Sequence, residues 1–373
     1  MISTDNHMQL DPAKLRTFPG ISANAFQHPD DRKATLAIQE LPIFPQILRA
    51  VSGGYFERVS RLEKMSSSFR LGPNQGRSIY RLFVRAAEIL GIEHLPEIYV
   101  SGGGINAYAS GMKKYTITLL SSLVSMTTEE ELLAIVGHEL GHIKCAHMVN
   151  KTMGSYLAGF GAETLASLIP VLGPLALKSL EVPLAHWSRM AELSCDRAAL
   201  LVVQDPEIVA SALAKIGGWS GSVLGELDFD ALDDQLKEYE QADEDTFDSL
   251  LKMSRMFDAA YDTHPLITIR IRKILQWGQS DQFREIMSGS YLLEEARLSS
   301  SGHPYCLSCG QVIAIGDEFC GTCGAPQPVQ AGVRCCPNEA CRRPISADQK
   351  FCSKCGQDLG LPATSGTSDS VAS

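Results

Sequence analysis

Between residues 31 and 96, apolar and polar positions alternate at helical spacing and are broken by turn signals. The segments DRKATLAIQEL, FPQILRAVSGGYFERVSRLEKM and NQGRSIYRLFVRAAEILGI carry the pattern. In the last of them Ile79, Leu82, Phe83, Ala86, Ile89 and Leu90 share one face. A helical N-terminal layer is predicted. Downstream the period becomes that of strands: EIYVS, INAYAS and YTITL are short β-rich runs separated by Gly102, Gly103, Gly104 and Gly111. They predict a small antiparallel sheet with tight turns, and the fold class is α+β, mainly helical.

A long helix is expected next. Thr128 and Glu131 fit a capping box ahead of EEELLAIVGHELGHIKCAHMVN, in which Leu132, Leu133, Val136, Leu140 and Ile143 predict one buried face. A second long helix is predicted from about Ala185 to Val203, stopping before Asp205-Pro206, a cap and first-turn pair for the helix after it. Between the two lies SYLAGFGAETLASLIPVLGPLALKSL, residues 155–180. No stretch of the chain reaches the roughly 18 consecutive apolar residues of a spanning helix, and Pro170, Pro174, Glu163 and Lys178 interrupt this one. It is expected to form a buried or cleft-covering helical hairpin, with membrane contact as the alternative. Residues 226–249 hold eleven acidic residues and one Lys around Phe229, Leu232, Leu236 and Tyr239, which predicts a solvated helical face.

Charge narrows the function classes. A formal net charge of −10 over 373 residues argues against a polyanion binder, because nucleic-acid affinity rests on clustered Lys and Arg. Of eleven cysteines, nine fall between Cys306 and Cys355, a crowding that fits metal ligation. The opening MISTDNHMQLDPAKLRTF lacks the basic start and apolar run of an export signal, so a cytoplasmic, possibly membrane-peripheral, location is expected.

The run His138-Glu139-Leu140-Gly141-His142 sets two imidazoles four residues apart on one helix face, where they can grip a single ion. Zinc with three protein ligands keeps a fourth position for water and lowers that water's pKa to about 7, and Glu139 is placed to take its proton. In SRMAELSCDRAAL, on the second helix, Glu192 can be the third ligand. Asp196, one turn on, can accept the other ring N–H of a ligand histidine. His147, five residues past His142, points about 140° around a continuous helix and reads as a hydrogen-bonding partner of the N-terminal layer rather than a ligand. Cys145 and Cys195 read as buried small hydrophobes.

Five motifs in order, FPGISANAFQHPDD, INAYASG, TTEEELLAIVGHELGHIKCAH, SRMAELSCDRAAL and THPLITIRIRKI, make residues 18–276 resemble the HtpX-like zinc peptidases, gluzincins related to the prenyl-protein CAAX protease. The resemblance implies a zincin-like metalloendopeptidase acting on polypeptides, with ligands His138, His142 and Glu192, base Glu139, and Asp196 behind the ligands. It implies that Asn106, Ala107 and Tyr108 form an edge strand to which an extended substrate adds. His264 matches a position close to the metal, where it would polarise the tetrahedral intermediate or block a resting site. Arg270 is implied to be structural or substrate-positioning. Catalytically silent adaptor and membrane-associated CAAX-type protease are the alternative functions.

Cys306, Cys309, Cys320 and Cys323 have zinc-ribbon spacing, and a second set repeats it as Cys336, Cys341, Cys352 and Cys355, with FCGTCG echoed by FCSKCG. The second set has a wider first knuckle, leaving Cys335 as a spare or as an alternative ligand to Cys336, which is favoured. Four-thiolate sites are closed, so these should fold the tail and offer a protein partner a surface. One catalytic and two structural zinc ions are expected. The organisation expected is an extension at 1–30, the peptidase domain at 31–297, a linker at 298–303, ribbons at 304–326 and 333–358, and a disordered tail at 359–373.

Overall fold

A computed structural model describes residues 11–41, 55–92, 94–111, 114–168, 173, 177–220, 225, 227–245 and 267–294, and the pairs 334–335 and 344–345. The chain divides into two units, Met1–Glu294 and Glu295–Ser373. In the first, chain order runs α1 (Pro29–Gln39), α2 (Tyr55–Ser67), β1 (Phe69–Arg70), α3 (Arg77–Ile89), β2 (Glu97–Ser101), β3 (Ala107–Ser110) and β4 (Thr116–Leu120). It continues through α4 (Ser121–Met126), α5 (Glu129–Lys144), α6 (Met148–Leu168), α7 (Glu181–Val203), α8 (Pro206–Ile216), α9 (Phe229–Asp245), α10 (Ile267–Gly278) and α11 (Asp281–Ser288). In the second unit β5 (Arg334–Cys335) pairs antiparallel with β6 (Pro344–Ile345).

The fold is mainly helical with a small sheet, but the sheet is mixed rather than antiparallel throughout. Its order is β1-β2-β4-β3, and β2 runs parallel to β4 from Glu97↔Thr116 to Ser101↔Leu120. The burial pattern explains the order. Thr116, Ile117, Thr118 and Leu119 are all buried, so β4 is covered on both faces and takes an interior position. The chain between β2 and β3 turns widely instead of closing a tight hairpin, and β4 enters the gap. β3 pairs antiparallel with β4 and is left at the edge.

The motif helix also differs from expectation. Its capping box is present: Glu131 N–H donates to Thr128 Oγ1 and Thr128 N–H donates back to the Glu131 carboxylate. Every residue from Glu131 to His142 is buried, so α5 is a central helix and not one with a single covered face. It stops at Lys144, Cys145 caps it, Ala146 turns left-handed with φ of 58°, and α6 begins at Met148. His147 therefore lies in a turn and not on a continued helix.

Glycines bring α7 against α5. A Cβ on Gly137 would stand 2.9 Å from Val202 side-chain atoms, and one on Gly141 would stand 2.8 Å from the Ala198 Cβ and 3.1 Å from the Cys195 Cα. Two glycines one turn apart thus let the backbones approach closely, and this sets how far side chains must reach between the helices. The main core surrounds this pair with Phe83, Ile98, Ile117, Leu133, Leu140, Ile271 and Trp277 among its members. A second cluster, including Ile38, Met153, Leu157, Leu184 and Trp187, joins α1, α6 and α7. Leu232 and Leu236 dock α9 and leave Asp230, Asp234 and Glu238 exposed. No helix among the described residues is long and apolar enough to cross a membrane.

Candidate metal centre

α5 presents His138, Glu139 and His142, and α7 presents Glu192 and Asp196; all five side chains are buried. The Nε2 atoms of His138 and His142 lie 3.4 and 3.3 Å from the Glu192 carboxylate oxygens. Two ligand atoms held about 2.0–2.1 Å from one tetrahedral zinc ion stand about 3.3–3.4 Å apart. The three groups therefore have the spacing, and the imidazole and carboxylate chemistry, that one zinc ion requires.

The outer faces of the two imidazoles are held differently. His138 Nδ1 is 3.1 Å from Asp196 Oδ1, an acceptor, so in the neutral, metal-binding form of this imidazole the proton belongs on Nδ1 and the lone pair on Nε2. His142 Nδ1 is instead 3.2 Å from His147 Nδ1. Arg270, on α10, locks the carboxylates. Its Nε and Nη2 donate to Asp196 at 2.8 and 2.7 Å, and its Nη1 lies 3.0 Å from Glu192 Oε2. Of the two roles expected for Arg270, the geometry supports the structural one, because all three guanidinium nitrogens serve these carboxylates and the side chain is 2% exposed.

Burial disfavours a charged His138, but Glu192 and Asp196 outweigh it and push its pKa up to about 9. His142 moves the other way, to about 3, through burial and the positive charge of Lys151. Burial also works against ionised Glu192, yet Arg270 and His138 hold its carboxyl well below the usual range. The centre thus keeps an anionic donor buried by surrounding it with positive groups.

Glu139 is 1% exposed and lines a cavity with Ala107, His138 and Asp196. Lys151 Nζ stands 3.7 Å from its Oε2. Ala107 brings the edge strand to the same cavity, while Tyr108, on the alternate face, lies beneath Lys64 Nζ at 5.0 Å. Asn106 precedes the strand, and its carbonyl accepts from Leu120 N–H at 3.0 Å. His264 lies outside the described residues, as do Cys306, Cys309, Cys320, Cys323, Cys336, Cys341, Cys352 and Cys355.

Sequence reasoning placed His147 against the N-terminal layer, where its Nε2 meets Asp31 of α1, but missed the other contributors. Lys151 beside Glu139 and the Asp31 contact of His147 depend on the break at Ala146, which a run of helix-compatible residues conceals. The glycines at 137 and 141 gave a signal that went unused, since helix-interior glycine implies close approach. Cys195 lies within 4.8 Å of ring nitrogens of both His138 and His142. Its Sγ is 3.7 Å from His147 Nδ1, and burial pushes its thiol well above the ordinary value, so Glu192 is the better anionic donor.

Residues 73–278 match the model of Peptidase family M48, and residues 306–356 match that of a double zinc ribbon. Plastoglobule-localized metallopeptidase 48, chloroplastic, of Arabidopsis thaliana is 35% identical over 273 residues, covering 72% of this chain and 77% of that protein. The chain belongs to Peptidase family M48. The peptidase is similar, at 24% identity over 188 residues and 43% of its length, to a protease HtpX homolog of Desulfatibacillum aliphaticivorans, and spans 59% of that relative. A crystal structure of S. mikatae Ste24p aligns over 65% of each chain at 18% identity with a TM-score of 0.35, a likeness too slight to bear on the fold. As an M48 member the peptidase is a zinc metalloprotease acting on polypeptides, and it carries a C-terminal double zinc ribbon domain. The M48 match contains His138, Glu139, His142, Glu192, Asp196 and Arg270, while Asp31 lies upstream of it.

Proposed function

We propose that the chain is an endopeptidase in which His138, His142 and Glu192 hold the zinc and Glu139 activates the attacking water. The observation that carries this reading is the convergence of both Nε2 atoms on the Glu192 carboxylate at 3.3–3.4 Å, with Glu139 in the adjoining cavity. Bound there, zinc supplies Lewis acidity, making a scissile carbonyl more electrophilic and a nearby water more acidic. Glu139 takes the water's proton and delivers it to the leaving amide nitrogen. Lys151 keeps a positive charge beside that buried carboxylate. Asp196 and Arg270 hold His138 and Glu192 in place, and the outer edge of β3, the last strand of the sheet among the described residues, receives the substrate backbone near Ala107 as an added strand.

Two ribbon zinc ions, a role in protein quality control or regulated proteolysis, recruitment of a protein partner by the ribbons, and a cytoplasmic site complete the proposal, with residues 155–180 as a cleft-covering segment and membrane-surface contact of that segment as the alternative. His264 is assigned to the rim of the metal, where it assists or blocks the reaction.

Cleavage of casein or a quenched peptide by the full chain tests the core of the reading. Glu139→Gln is expected to retain zinc and lose about 10²–10⁴-fold in rate. Equal rates for wild type and variant, at equal zinc content, would defeat it. Chelator inactivation alone is insufficient, since it also strips the ribbons.

A further inference from the structure

At Nδ1, His142 has no counterpart of the Asp196 carboxylate that holds His138, and what replaces it is a chain of buried side chains leading to α1. His147 lies between the two ends: its Nδ1 is 3.2 Å from His142 Nδ1, and its Nε2 is 3.0 Å from Asp31 Oδ2. Asp31 is 0% exposed and His147 1%. Asp31 is itself fixed by three donors, Gln27 Nε2 at 2.9 Å, Ser194 Oγ at 2.5 Å and Thr35 Oγ1 at 3.2 Å. Trp187 Nε1 donates to Thr35 Oγ1 at 2.9 Å, and its indole meets the His147 ring edge-on at 5.5 Å.

We propose that His147 and Asp31 are positioning residues that set the tautomer and ring orientation of His142 for metal binding, so that α1 is part of the metal centre. The assignment follows from donor and acceptor roles. An ionised carboxylate only accepts, so His147 Nε2 carries the proton donated to Asp31. A neutral His147 then offers a lone pair at Nδ1, and His142 Nδ1–H donates to it. His142 Nε2 is left with its lone pair toward Glu192, where a metal ligand must have it. The turn at Ala146 makes this possible by taking His147 off the helix and back under His142. The proposal rests on His142 being a ligand, and its test separates the two ideas.

Metal-free full-length chain is titrated with Co2+, whose d–d bands in an imidazole and carboxylate site differ from the thiolate charge-transfer bands of four-cysteine sites. His142→Ala is expected to abolish the former bands alone; their survival would refute the ligand reading itself. Asp31→Asn and His147→Leu are each expected to weaken Co2+ binding in those bands by about 10–100-fold, leaving the thiolate bands unchanged. His147→Gln, whose carbonyl can still accept from His142, is expected to recover part of the loss. Because both residues act through one relay, the Asp31→Asn and His147→Leu double variant should lose no more than the worse single variant. If His142→Ala abolishes the bands while folded His147→Leu and His147→Gln bind Co2+ as wild type does, the relay is overturned. The His147 variants decide the matter even if Asp31→Asn does not fold, and circular dichroism of the metal-free proteins establishes which do.

Discussion

Arg270 is the residue on which the centre's electrostatics turn. Two carboxylates, Glu192 and Asp196, are buried within reach of its guanidinium, and removing it leaves both short of a counter-charge. Breaking a buried ion pair from one side costs about 3–5 kcal/mol. Arg270→Met is accordingly expected to lower the unfolding free energy of the metal-free chain by that order, and added zinc should restore part of the loss because a cation re-enters the same cluster. Urea unfolding with and without zinc checks this. His28 offers a test by pH. Its Nδ1 accepts from Asp30 N–H at the N-cap of α1, and burial together with Arg197 lowers its pKa from 6.5 to about 4. Between those values the unfolded chain holds a proton that the folded chain excludes. Its stabilising contribution is whole above pH 6.5 and is lost as pH falls toward 4. His28→Asn keeps a capping acceptor that does not titrate, so it should flatten the stability profile between pH 7 and 5 by about 1 kcal/mol, discounted for partial exposure.

At the scale of elements, the distance between α5 and α7 decides whether a metal site exists. Gly141→Ala would place a methyl 2.8 Å from the Ala198 Cβ and 3.1 Å from the Cys195 backbone. Overpacking costs about 1–3 kcal/mol, and better helix propensity returns about 1. The expected result is little or moderate destabilisation together with weaker zinc binding, because the displaced α7 carries Glu192. Thr128→Ala is the contrasting change. It removes the N-cap acceptor and should cost about 1 kcal/mol in thermal unfolding while zinc affinity stays the same, since the cap lies more than two turns from His138. Both helices and the cap are legible in the sequence, because periodicity and capping are local. The end of α5 is not: CAHM suits a helix, and the left-handed Ala146 is stabilised by what His147 finds in α1.

For the molecule as a whole, zinc ought to be counted and apportioned. Elemental analysis of the purified chain is expected to give about three ions, falling by about one in Cys309→Ser and by one in Glu192→Gln, with peptide cleavage lost in the second and kept in the first. A single ion in the wild type would overturn the ribbon assignment. The sequence by itself determined the histidine pair on one helix, the Glu192 and Asp196 pair on another, the cap, the resemblance to HtpX-like peptidases and the cysteine repeat, since each is a short-range pattern of residue types. It did not determine the parallel pairing of β2 with β4, the place of Arg270 between two carboxylates, or the approach of Asp31 to His147 across 116 positions. Those are contacts between elements far apart in the chain. They form only when burial of the core fixes which faces meet, so the tertiary structure alone decides them.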